Sequence, residues 1–104
     1  VAVYTNSANL NIGYYEKRYS SEDEPFEDIE ILDVIRAAEQ QNVGFLSSIQ
    51  MEIYPVGNSY FYINGKRMRT FDGKYISPSD LDIYSLVIHP NHGTTFGILY
   101  YYYL

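Results

Sequence analysis

At 104 residues, with 46% hydrophobic and 19% charged side chains, the chain has the composition of one globular domain, residues 1–104, rather than of a disordered segment. No window is long and apolar enough for a membrane span, and the absence of Cys excludes disulfides, a thiol nucleophile and thiolate metal sites. The net charge of −6 lies in residues 1–41, which hold nine acids against three bases, while residues 42–104 are balanced at four of each. That distribution disfavours nucleic acid as a partner and favours a protein with a basic surface. No basic stretch leads into an apolar core at Val1-Ala2-Val3-Tyr4-Thr5, so no secretory leader is expected and the cytoplasm is the expected compartment.

Val1–Thr5 and Leu10–Tyr15 read as two short strands around the turn-rich Asn6-Ser7-Ala8-Asn9. A charged loop from Glu16 to Glu24 ends at Pro25, a residue suited to the first turn of a helix, with acids around it that the helix dipole favours. The spacing of Ile31, Leu32, Ile35 and Ala38, extended by Phe26 and Val34, predicts a helix over 25–41. Glu27, Glu30, Asp33, Arg36 and Gln40 fall on its other side, and Asn42 and Gly44 supply the stop.

From Ser47 onward the punctuation is that of a meander. Gly57-Asn58, Asn64-Gly65 and Asp72-Gly73 each offer a two-residue turn, giving strands near 48–56, 59–63, 66–71 and 74–77. Pro55 has no ladder donor, which makes 48–56 an edge or bulged strand. Residues 81–89 and 96–104 form a last hairpin across Pro90–Thr95. The expected architecture is α+β: a single helix packed on a mainly antiparallel meander sheet, with the two short N-terminal strands at its side.

The last strand has no polar face of the usual kind. Phe96, Ile98, Tyr100, Tyr102 and Leu104 share one face, and Leu99, Tyr101 and Tyr103 the other. A central position follows, with the helix burying one Tyr face and either the N-terminal strands or a second molecule, the latter favoured, covering the other. The Asn64-Gly65 turn pairs Tyr62 with Arg67 and Tyr60 with Arg69, placing Tyr60, Tyr62, Arg67 and Arg69 on one surface with Lys74 nearby. Tyr and Arg are enriched in binding hot spots. The plain alternative is a solvated face whose bases meet the acidic 16–30 segment.

These features point to a non-catalytic protein-binding module, of the kind found among inhibitors and immunity or anti-defence proteins of viruses, phages and mobile elements. Its acidic face (Glu22, Asp23, Glu24, Glu27, Glu30) would meet a basic partner, and the Tyr60, Tyr62, Arg67, Arg69 lattice would supply contact area. A second reading is a structural subunit that dimerises through Tyr101 and Tyr103. A third is a small metal-dependent enzyme using His89 and His92; two His three apart can share a metal on a helix, but Pro90 and the hairpin context place this pair on a turn. No metal and no cofactor is expected in the leading reading.

Overall fold

Alternating burial organises the chain into nine elements, seen in a computed structural model that describes residues 10–20, 22, 27–54, 60–69 and 73–104. In order these are β1 (Leu10–Arg18), β2 (Ile29–Glu30), α1 (Ile31–Glu39), β3 (Ser48–Tyr54), β4 (Tyr60–Ile63), β5 (Lys66–Met68), β6 (Lys74–Ile76), β7 (Leu86–His89) and β8 (Thr95–Tyr103). The α+β class, one helix with antiparallel strands, is the expected one. The strands are shared between two four-stranded sheets, β1-β8-β3-β6 (the first sheet) and β2-β7-β4-β5 (the second sheet). The first four-residue-spaced apolar turn of the chain, Ile31, Leu32 and Ile35, buries the helix against them.

The core lies between the inner faces of the sheets and the helix. Ile49, Met51, Ile53, Phe96, Ile98, Tyr100 and Tyr102 come from the first sheet, and Phe61, Ile63, Leu86 and Ile88 from the second. Phe61 meets Tyr75 edge to face across the gap, with ring centroids 5.4 Å apart. Each buried side chain of this size stabilises the fold by about 1.5–3 kcal/mol.

Several boundaries differ from the sequence expectation, for identifiable reasons. The helix begins at Ile31, not Pro25, because Ile29 and Glu30 are drawn into pairing with Ile88 and Val87. It stops at Gln40, which takes the left-handed conformation (φ 55°), before the expected Asn42 and Gly44. Arg36 then closes the exit: Nε donates to the Val43 carbonyl at 2.7 Å and Nη1 meets Asp33 Oδ1 at 2.8 Å. Ala38, expected in the apolar stripe, is exposed. The first strand runs through Arg18, so Glu16, Lys17 and Arg18 belong to it and not to a loop. Val1–Thr5 and Phe26 lie outside the described residues.

The larger difference is in how strands pair. Asn64-Gly65 makes the expected tight turn, with φ of 50° and 84° as a type I′ turn needs, and sets Phe61 against Met68, Tyr62 against Arg67 and Ile63 against Lys66. Among the described residues β3 does not pair with β4, β5 with β6, or β7 with β8; the expected Gly57-Asn58 turn and Asp72 lie outside the described residues. β3 pairs with β8 and β6, so it is an interior strand rather than an edge, and it ends at Tyr54, before Pro55. Between Met68 and Lys74 the chain passes from the second sheet to the first, which removes Lys74 from the Tyr–Arg lattice and seats it beside Glu52 at 3.8 Å. Likewise β7 and β8 lie in different sheets; the turn between them, with Gly93 at φ 85°, carries the chain across. Residues 81–85 are not part of β7, although Ile83 forms a bridge with Leu46.

Candidate interaction surface

The last strand takes the central position expected of it, between β1 and β3. Its inner tyrosines are built into the core. The Tyr100 hydroxyl donates to Glu39 Oε1 at 2.5 Å, tying the last turn of α1 to the sheet. Burial, reinforced by the Glu39 carboxylate, holds the Tyr100 hydroxyl proton far above the usual tyrosine range, and Tyr102 is raised by the same two causes. Gly13, across from Tyr100 in β1, leaves the room for this bond: a Cβ there would collide with both Tyr100 and Glu39.

The outer side of the same sheet is different. β1 lies beside β8, not over it, and adds its own apolar side chains to the surface. The register places the outward residues in rows: Leu10 with Tyr103, then Ile12 with Tyr101 and Ser48, then Tyr14, Leu99, Gln50 and Ile76. A charged row follows, with Glu16, Gly97, Glu52 and Lys74, and then Arg18, Thr95 and Tyr54. Among the described residues, six of the eight exposed large hydrophobic side chains stand on this one face, with Ile12, Tyr14 and Ile76 more than 60% accessible. Isolated exposed hydrophobics are ordinary, whereas Leu10, Ile12, Tyr14, Ile76 and Tyr103 stand in adjacent rows, a clustering of the kind found at contact surfaces; Tyr54 lies beyond the charged row.

Gly97 shapes the middle of that face. The Tyr14 hydroxyl lies 2.9 Å from where a Cβ of Gly97 would stand, so the ring reclines across the bare backbone. Between Tyr14 on one side and Ile76 and Lys74 on the other is a shallow depression of about 440 Å³, floored by Gly97 and Leu99.

On the second sheet the expected lattice forms in part. Tyr60 and Tyr62 face outward and half-buried, and their rings meet edge to face at 5.6 Å. The Arg67 guanidinium sits 4.6 Å from the Tyr60 ring centroid, and His89 of β7 stacks on that ring at 4.7 Å and 6°. His89 Nδ1 is in turn 2.7 Å from Asp28 Oδ1. Arg69 lies exposed just beyond β5, outside the paired residues. This face is largely engaged with itself.

The acidic set does not form a single helical face. Glu22 and Glu27 are exposed, both ahead of α1; Asp23 and Glu24 lie outside the described residues. Glu30 turns inward, where Oε1 accepts from the Ser85 hydroxyl at 2.6 Å and Oε2 from the Leu86 N–H at 2.8 Å. It is a structural brace between α1 and β7, not a partner-facing acid. His92 is exposed in the turn after β7, and no group of three or more candidate ligands that could hold a metal occurs among the described residues.

Leu99 belongs to the β8 face that the sequence already leaves for a cover other than the helix, whereas Leu10, Ile12, Tyr14 and Ile76 carry no such assignment in the sequence. The period-two run Leu10-Ile12-Tyr14 carried the signal, but sequence alternation alone does not say which face meets the core. No helix of the described residues is long and apolar enough to cross a membrane. Comparison with protein families, with curated proteins and with solved structures gives no match.

Proposed function

We propose that this chain is a non-catalytic protein-binding module whose principal contact surface is the outer face of the first sheet. The observation that carries the reading is the concentration of exposed Leu10, Ile12, Tyr14, Tyr54, Ile76 and Tyr103 on that face. Covering it removes apolar surface from water at about 25 cal/mol per Å², with stiff Tyr rings that lose little entropy on docking. Three acids are engaged in contacts within the fold, Glu30 with Ser85 and Leu86, Asp28 with His89, and Glu39 with Tyr100. The acids of residues 1–41, with Glu22 and Glu27 exposed, favour a basic protein as a further partner. A module of this kind acts as an inhibitor or immunity protein does, by occupying a surface.

The test is site-specific photocrosslinking in the cells that produce the protein. A photoreactive side chain at position 12 is expected to give a protein adduct, and one at position 62, on the second sheet, to give none. No adduct from position 12 would remove the reading.

A further inference from the structure

We infer that the occupant of this face is a second copy of the chain, joined face to face about a two-fold axis; the inference rests on the protein-binding reading above. Charge is the first reason. The face holds two acids, Glu16 and Glu52, and two bases, Arg18 and Lys74, so it is neutral on a chain of net charge −6. A surface that selected a strongly charged partner would carry the opposite charge in excess. A neutral apolar face suits a partner with the same face.

The register is the second reason. A two-fold axis lying in the interface, parallel to the strands and between β8 and β3, sets β1 over β6 of the second copy. Tyr14 then meets Ile76 of the second copy, and Glu16 meets Lys74 of the second copy, each contact occurring twice as an isologous interface requires. Glu52 falls over Gly97 of the second copy, where it meets the end of the Tyr14 ring that lies across that glycine. Sheets stacked in this way sit about 10 Å apart with strands nearly aligned.

Extent is the third. Four strands at about 4.8 Å spacing, the longest running nine residues at about 3.4 Å each, span roughly 500 Å² in projection, and the side chains standing out of the sheet add to it. Standard interfaces take roughly 800 Å² from each partner, which puts this one at the modest end. The acidic segments, outside the rows of this face, stay available to a basic protein.

Sedimentation equilibrium of the full chain from 1 to 200 µM, at low and high salt, tests this. The expected result is a monomer–dimer equilibrium that tightens severalfold with salt, because salt screens the repulsion between two chains of −6. Binding of a basic protein would weaken with salt instead. Ile12→Lys combined with Ile76→Lys is expected to weaken dimerisation at least tenfold, and Tyr62→Lys to leave it unchanged, with circular dichroism confirming the fold of each. Glu16→Lys alone should weaken the dimer, and adding Lys74→Glu should restore it. A wild-type monomer at every concentration and salt overturns the inference, as does a dimer indifferent to charges at positions 12 and 76. A monomer whose position 12 still crosslinks to a different protein overturns the second copy and leaves the protein-binding reading standing.

Discussion

The two sheets both turn tyrosines outward, yet the two faces differ in how far neighbouring side chains engage them. On the second sheet, Tyr60 is stacked by His89 on one neighbouring strand and capped by Arg67 on the other, and Asp28 holds the imidazole. On the first, Tyr14 lies across a glycine, and Ile12 and Ile76 stand in the open beside it. The presence of Tyr and Arg therefore does not identify a binding face. What distinguishes the faces is whether neighbouring strands already supply the contacts that the exposed groups need.

If that distinction is right, substitutions should separate by face, and the greatest cost should fall on the inner side of the first sheet. Gly13→Val is expected to destabilise the chain by about 3 kcal/mol, read by urea denaturation, because its side chain must displace the buried Tyr100 ring and break the part-buried Tyr100–Glu39 bond. Next comes the brace beneath the second sheet. Glu30→Ala leaves Ser85 and the Leu86 N–H without their acceptor and is expected to cost about 2 kcal/mol in the same assay.

The two tyrosine rows of β8 make a finer contrast. Tyr100→Phe is expected to cost about 1 kcal/mol at neutral pH, and Tyr101→Phe close to nothing in the monomer. The folded chain keeps the Tyr100 and Tyr102 hydroxyls protonated beyond pH about 10, where the unfolded chain releases those protons. Their contribution is complete below pH about 10 and is lost as pH rises above it. A pH series of denaturation midpoints should therefore fall above pH about 10, less steeply in Tyr100→Phe; an equal slope in both proteins would contradict the assignment. Smallest of all, Arg67→Ala should cost about 0.5–1 kcal/mol, the worth of one exposed cation–π contact.

Much of the local structure was legible in the sequence, and the reasons are local. Asn64-Gly65 specifies its turn because both residues accept positive φ, and the register of Tyr62 with Arg67 follows from it. A role that spacing could not reveal is that the Asn64 side chain also fastens the 82–85 segment, with Oδ1 accepting from the Tyr84 N–H at 2.8 Å. The central place of β8 was legible because both its faces are apolar. Which sheet a strand joins was not legible. Alternation tells which residues share a face, but β7 and β8 would look the same in one sheet or in two. The helix start was misplaced for a related reason: Pro25 and its acids are a good local signal, and the pairing of Ile29 and Glu30 with β7, a contact across more than fifty residues, overrides it. The β8 part of the open face, Leu99, Tyr101 and Tyr103, was legible; its full extent was not, because the rest comes from β1, β3 and β6, far apart in the chain.

The most direct measurement of the central claim is tyrosine labelling of the purified chain at 1 µM and at 200 µM, with sites quantified by mass spectrometry. Tyr14 and Tyr103 stand on the open face of the first sheet, and Tyr84, about as exposed as Tyr14, stands off it. Labelling of Tyr14 and Tyr103 should fall severalfold with concentration while Tyr84 stays constant. Equal labelling of all three at both concentrations would contradict the account.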